Sequence, residues 1–368
     1  MAGGEKGRKL AIYGAQGIAL GAYQAIRELY PARKVECFVV SRRGDNAAHL
    51  AGLAVVELSA YAGALSEKEK TQVQLLIATP ESVMGEIEKS LDEKGLTCHV
   101  RLTWERFAVL QSHYHGRRKR FLPLSALPVG WHRAGLLVFQ VRTDKDKTLT
   151  EPYEPPEWLL PIQAGAIRRE EQVAELLDCE GEHISEKNGN YCELTALYFI
   201  WKNELPGQRA ADEDAYVGLC HYRRMLDLTE DDILRLADND VDAVLPFPLP
   251  YEPDMGAHHR RYLSEGDWEA LLRALGELQP AYVPALSRIE TEPYLYNYNI
   301  IVAKKRVLWE YCSWLFPLLE RIEELSIPRG SERRDRYIGY LGESLCTLYF
   351  MANKERLTIV HAGCRFLK

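Results

Sequence analysis

Ile184-Ser185-Glu186-Lys187-Asn188 and Cys220-His221-Tyr222-Arg223-Arg224 bracket the stretch whose reading decides the fold. Between them, Tyr191 to Asn203 carries Leu194, Leu197, Tyr198 and Trp201 at helical spacing, which predicts one amphipathic helix with a core-facing stripe. Tyr216-Val-Gly-Leu-Cys220 then predicts a short buried strand that exits into His221 and two arginines. Open α/β sheets bind ligands outside the carboxyl ends of their strands, so this exit suits a phosphorylated ligand.

The flanking sequence extends that reading. Gly135 to Arg142 is the strongest strand of the second half, and it ends in Thr143-Asp144-Lys145. Leu159-Leu-Pro-Ile-Gln163-Ala-Gly165-Ala and the turn-rich Asp178 to Asn190 follow. Asp231–Asp238, Val307–Leu325 and Tyr337–Met351 have helical periodicity, while Val241–Pro246 and Tyr294–Val302 suit strands. The entrance of the central helix offers Asn188 or Asn190 as N-cap, with Glu193 at capping-box spacing from Asn190.

The first half alternates in the same way. Strands at Lys9–Tyr13, Val35–Val40, Val55–Glu57, Val73–Ala78 and Thr97–Leu102 are separated by helical stretches, which predicts a parallel sheet with right-handed crossovers. Gly14 and Gly17 after the first strand invite a nucleotide phosphate, and Arg42 after the second strand would favour an anion over a ribose hydroxyl. The spacing is G-x-x-G-x-x-x-G, however, so glycines placed for tight turning and close helix packing explain it equally. The expected division is a Rossmann-like domain at 1–115, a linker at 116–133 and a second α/β domain at 134–368. The linker contains the basic run Arg117 to Arg120, suited to a solvated face or to peripheral contact with an anionic membrane.

The composition excludes several classes. A hydrophobic fraction of 46% and a charged fraction of 27% are ordinary for a globular chain, and a net charge of −7 argues against a general nucleic-acid binder. The eight cysteines show no C-x-x-C pair, so they suggest neither a zinc site nor a disulfide framework. The polar start at Met1 to Lys9 has no signal-peptide core and no apolar run is long enough to span a bilayer, which predicts a cytoplasmic protein working at most at the inner face of the membrane.

Leu159 to Ala166, Ile184 to Tyr198, Tyr216 to Arg224, Leu295-Tyr-Asn297 and Tyr311 to Leu319 occur in an order that resembles the capsular polysaccharide synthesis proteins. That family is regarded as glycosyltransferases of the type-A nucleotide-sugar fold. The resemblance spans nearly all of residues 134–368 and implies sugar transfer from a nucleotide donor, a UDP-sugar above all, to a glycan or lipid-linked acceptor for capsule or O-antigen assembly. Many type-A enzymes hold a divalent metal on Asp-x-Asp, but Asp212-Glu213-Asp214 precedes its strand and reads as a loop charge cluster. No metal ligand is assigned, and a divalent ion is compatible with the reading without being required by it.

The expected machinery is therefore His221, Arg223 and Arg224 against the leaving diphosphate, with Glu343, or His258 or His259, as the base for the acceptor hydroxyl. Thr143, Asp144, Gln163, Gly165, Glu186, Lys187, Asn188 and Asn297 are the expected donor contacts, with Tyr296 beside Asn297. The family's Thr-His-Lys is Thr143-Asp144-Lys145 here. Strand alternation predicts that only one of Arg223 and Arg224 reaches the ligand. The competing readings are an NAD(P)-linked or sugar-nucleotide-modifying enzyme working through the first domain, and a non-catalytic scaffold of a polysaccharide-synthesis complex.

Overall fold

The computed structural model describes residues 9–207 and 214–367. Residues 1–8, which contain most of the polar lead-in, and Asp212 and Glu213 of the acidic triplet lie outside the described residues. The chain forms two units: Met1–Arg120 with Leu249–Pro253, and Phe121–Pro248 with Asp254–Lys368.

The first unit is built on strands β1 (Leu10–Tyr13), β2 (Val35–Val40), β3 (His49–Leu50), β4 (Leu53–Glu57), β5 (Gln74–Ile77) and β6 (His99–Arg101). Their order is β3-β4-β2-β1-β5-β6, parallel throughout except where β3 turns back on β4. Helices α1 (Gly17–Leu29), α2 (Leu58–Gly63), α3 (Glu67–Lys70), α4 (Met84–Glu93) and α5 (Trp104–Arg118) connect or follow the strands. Tyr13, Val39, Leu75 and Ile77 pack with Leu58, Met84, Ile87 and Leu91 in one apolar cluster. The strand order reverses at β1, the switch point of a doubly wound sheet.

Helix α5 corrects the expectation that regular pattern ends near Ser112. Thr103 caps it by accepting from the Arg106 N–H, and it continues to Arg118 with Lys119 in the left-handed region (φ 51°) behind it. Its buried face includes Gln111 and His115, which hydrogen-bond each other, while Gln111 donates to the Gly21 carbonyl; two polar residues on that face mask the helical period. The basic run is thus a helix end, where Arg117 and Arg118 lie 3.4 and 3.6 Å from the Glu28 carboxylate. The rest of the expected linker is structural as well. Leu124 is buried in the second unit's core, the Leu122 carbonyl accepts from the His361 N–H, and Leu127 and Pro128 carbonyls accept from Arg235 and Asn239.

The second unit centres on β7 (Leu136–Arg142), β8 (Leu159–Gln163), β9 (Leu176–Leu177) and β10 (Tyr216–His221), all parallel neighbours in the order β9-β8-β7-β10. Beyond β10 lie Ile301–Lys304, antiparallel to it, then β12 (Ala243–Pro246) and Ile359–Ala362. β11 (Arg224–Leu226) folds back from β10 and pairs with Cys364–Phe366. Because β8 and β9 add on one side of β7 and β10 on the other, this sheet has its own switch point between β7 and β10.

The expected single helix from Tyr191 to Asn203 is three pieces. A turn α6 (Asn188–Tyr191) ends at Cys192, whose φ of 51° stops it; α7 (Leu194–Phe199) follows and opens into a π-helical turn at Ile200–Glu204. The expected capping box is absent too: Asn190 donates to the carbonyls of Gly330 and Arg333, and Glu193 accepts from Asn299. The remaining helices are α8 (Glu230–Asp238), α9 (Met255–His259), α10 (Glu265–Leu278), α11 (Val283–Ile289), α12 (Lys305–Leu325) and α13 (Tyr337–Ala352). Capping boxes at Thr229–Asp232 and Ser264–Asp267 fix the starts of α8 and α10. Among the described residues, no helix is long and apolar enough to cross a membrane.

Candidate functional site

The switch point of the second sheet carries a polar cluster keyed to one residue, Tyr298. The loop Tyr296–Asn299 precedes strand Ile301–Lys304, and both Tyr298 (φ 71°) and Asn299 (φ 50°) sit in the left-handed region. A bulky residue adopts that region only where the surroundings hold it, at a cost on the order of 1–3 kcal/mol. The bent backbone lets Tyr298 engage three side chains. Its carbonyl accepts from His221 Nε2 (2.6 Å), its N–H donates to Glu343 Oε1 (2.9 Å), and its ring lies under the Arg224 guanidinium, 4.3 Å from the centroid.

His221 closes β10 opposite Val141 of β7. With Nε2 donating to Tyr298, the neutral ring has Nδ1 as its acceptor. The Glu193 carboxylate lies 3.9 Å away and is itself held by the Asn299 amide at 2.7 Å. After β7, the Thr143 N–H and hydroxyl both donate to Asp146 (2.8 and 2.9 Å). Burial pushes the Asp146 carboxyl up, against the pull of those hydrogen bonds and of the nearby His221 and Arg142.

Glu343 keeps some solvent access, yet protein encloses it closely. Loss of hydration, reinforced by the Glu193 charge, pushes its carboxyl up to about 8; the Tyr298 N–H, the Arg224 charge and a bond from Asn297 oppose this only partly. A carboxyl poised there exchanges protons near neutral pH, as a general acid or base requires.

The two arginines differ, as strand geometry requires, though through a turn rather than an alternation. Tyr222 and Arg223 form the turn between β10 and β11, and Arg224 pairs with His221 across it. Arg223 Nη2 donates to the carbonyls of Lys147 and Thr148 (3.3 and 3.1 Å) and so braces the loop after β7. Arg224 lies against two aromatic rings that meet edge-on, with its guanidinium 4.3 Å from the Tyr298 centroid and 5.3 Å from that of Phe366, and among the described residues no carboxylate stands within ion-pair distance of it. A guanidinium held by aromatic faces stays charged and keeps its donors for an incoming anion.

Of the other expected donor contacts, Asn297 joins the cluster through Glu343, and Thr143 lies beside it through Asp146. The others serve the frame. Gln163 donates to the Glu171 carbonyl and accepts from the Val173 N–H, and Asp144 accepts from the Glu170 N–H. Lys187 pairs with Glu323 on α12 (2.6 Å), and Glu186 lies 3.6 Å from His183. Asn188 donates to the Cys192 carbonyl and the Thr195 hydroxyl, against Gly165 (φ 65°), where an added Cβ would lie 2.8 Å from the Asn188 amide oxygen. Buried Asp178 ties these loops together by accepting from the Gly165 and Ala166 N–H groups and the Ser185 and Thr195 hydroxyls. Of the alternative bases, His259 is buried with its ring on the Ser344 hydroxyl and His258 beside it, and burial pulls the two down to about 3 and 4. The Tyr296 hydroxyl is committed to His361 (2.7 Å).

Sequence reading missed Asp146, Arg142, Tyr298 and Arg336. Arg142, at the end of β7, donates twice to the Gln140 amide oxygen. Arg336 precedes α13 with its Nε donating to the Cys192 sulfur (3.3 Å), which places an exposed cation near Glu193. The one available signal was the arginine-rich run from Arg329 to Arg336 ahead of an apolar helix.

In the first unit, the corresponding switch point is occupied by protein. An added Cβ on Gly14 (φ 121°) would lie 2.6 Å from the Ala78 carbonyl oxygen. At Gly17, the first residue of α1, it would lie 3.2–3.4 Å from Leu249, Pro250 and Tyr251 of the same unit. Arg42 is exposed on the loop after β2.

No curated protein matches the chain. Among solved structures, the apo structure of WbbM, a bifunctional glycosyltransferase, superposes with a TM-score of 0.53 at 22% identity, over 64% of this chain and 45% of that one. The chain thus spans less than half the length of that protein, and the likeness is one of fold, a parallel-dominated α/β architecture. A family model described as a domain of unknown function, DUF4422, matches residues 147–354. That span exceeds half of the chain and contains His221, Arg224, Tyr298 and Glu343, and the chain belongs to the DUF4422 family.

Proposed function

We propose that the protein is a glycosyltransferase that moves a hexosyl group from a nucleotide sugar, a UDP-sugar in the first instance, to a glycan or lipid-linked acceptor of a bacterial capsule or O-antigen. The observation that carries the reading is the junction at Tyr298, where a carboxyl poised at about 8 and an arginine without a carboxylate partner meet at the switch point of a glycosyltransferase-like sheet. Glu343 takes the proton of the acceptor hydroxyl as its oxygen bonds to the sugar's anomeric carbon. The bond from that carbon to the diphosphate oxygen breaks, and the diphosphate leaves with the electron pair. Arg224 meets that developing charge in a largely dehydrated setting, where a fixed cation is worth most. His221 and Glu193 hold the Tyr298 loop in register.

The proposed place of work is the cytoplasm, at the inner face of the membrane, where Arg117 and Arg118, exposed although beside Glu28, would meet anionic headgroups. Contacts within the first unit disfavour the dinucleotide alternative, since the chain itself lies against Gly17 at the start of α1. Isothermal titration of the full chain against UDP- and GDP-sugars, with and without manganese, tests the proposal. Saturable binding of a sugar nucleotide with product formation supports it; binding of NADP alone contradicts it.

A further inference from the structure

A second recess in the same unit lies between α9, α10 and α11, with a volume of about 400 Å³, within the range of sites that hold small molecules. Trp268 lines it and is only partly exposed, with the His259 ring beside it at 5.7 Å. The lining also carries the carboxylates of Asp254, Glu265, Glu269 and Glu290 and a single guanidinium, Arg260, which already lies 3.9 Å from Asp254. Burial pushes the Glu290 carboxyl up.

The recess is physically tied to the site described above. His259, on its wall, hydrogen-bonds Ser344 Oγ at 3.1 Å, and Ser344 follows Glu343 in α13. Tyr262, just beyond α9, stacks on Tyr340 with ring centroids 4.9 Å apart. Tyr340 lies three residues before Glu343, on the same side of the helix. Side-chain contacts thus run from Trp268 through His259 to Ser344, the neighbour of Glu343 in α13, and from Tyr262 to Tyr340, one turn before it.

We propose that this recess is the acceptor subsite and that it takes an uncharged pyranose of the acceptor glycan, its C–H face on Trp268 and its hydroxyls donating to the surrounding carboxylates. The negative face of an indole suits the weakly positive C–H groups of a sugar, and carboxylates are acceptor-only partners for hydroxyl pairs. An acidic sugar or a phosphate would meet an excess of like charge there, four carboxylates against the one guanidinium of Arg260, which disfavours both. This inference rests on the glycosyltransferase reading, whereas the donor would be bound at Arg224, so the two fail separately.

The test is saturation-transfer NMR on the full chain with neutral disaccharides of glucose, galactose and mannose, beside their uronic-acid counterparts, and UDP titrated in parallel. At least one neutral disaccharide should bind, its uronic-acid counterpart at least tenfold more weakly. Trp268→Ala should weaken the neutral ligand at least tenfold with UDP affinity within twofold of the parent, and Trp268→Phe should restore most of the loss. Arg224→Ala should keep the disaccharide and lose UDP. Absence of neutral-sugar binding by the parent protein, or equal binding by Trp268→Ala, overturns the subsite even where UDP binds. Loss of UDP binding in the parent overturns the donor reading instead.

Discussion

The two units carry parallel-dominated sheets that reverse strand order in the same manner, and they treat the resulting crevice in opposite ways. In the first, Gly14 and Gly17 stand at the crevice, and what they admit is the chain itself: the Ala78 carbonyl against one, Leu249 to Tyr251 against the other. In the second, the strand ends open onto His221, Arg224, Asp146 and Glu343, side chains that are costly to bring together and are held by a loop in a strained conformation. Topology creates a candidate crevice in both units. Side-chain chemistry decides which is left for a ligand.

The largest expected effect lies at Arg224. Arg224→Ala should lower donor turnover by about 100-fold or more, as removal of one preorganised charge from a leaving-group site does. Arg223→Ala should cost about tenfold or less, because that side chain braces the carbonyls of Lys147 and Thr148 and acts through their loop. Steady-state kinetics on the pair measures the difference, and equal losses would break the distinction.

Asp178 tests the frame of the same edge. Asp178→Ala leaves two N–H groups and two hydroxyls without their buried acceptor, and urea unfolding should show a loss of about 3 kcal/mol or more. An unchanged urea midpoint would mean the loops are held elsewhere.

Glu343→Gln should slow transfer by about a hundredfold, the lower end of the usual range for a general base. It should also remove the inflection near pH 8 from the rate profile, since only the ionised carboxylate accepts the acceptor's proton. Stability shifts in the opposite sense. A carboxyl raised to about 8 from 4.5 binds more protons folded than unfolded, so its ionisation costs stability progressively from about pH 4.5 up to about 8. The glutamine variant should lose less stability than the parent as pH rises through that window, measured by thermal melts at several pH values.

The smallest effect is expected in the first unit. Gly17→Ala presses a methyl group onto Leu249 and Pro250 and should cost about 1 kcal/mol of stability while leaving donor affinity unchanged. A marked loss of nucleotide binding in this variant would erase the contrast between the two crevices.

Much of the frame could be read from local pattern. The parallel strands of both halves, the exit of β10 and the long helices α12 and α13 follow from apolar runs and periodicity, with His221 and Arg224 legible as polar residues at a strand exit and Asn297 and Glu343 as polar residues within an expected strand and an expected helix. The partners of those residues were not. Lys187 looks like a phosphate ligand until Glu323, distant in sequence, claims it, and the Cys192 break that splits the central helix has no local signal. Tyr298 was hidden among tyrosines that suit a strand, and its importance lies in a positive φ that no sequence pattern announces. Arg223 and Arg224 were separable in principle, but a tight turn rather than strand alternation separates them.

The most direct test of the central claim is the structure of the full chain with UDP bound. The account predicts the diphosphate within hydrogen-bond distance of the Arg224 guanidinium, between the ends of β7 and β10 and facing Glu343. A diphosphate seated instead at Gly14 and Gly17, at the start of α1, would contradict it.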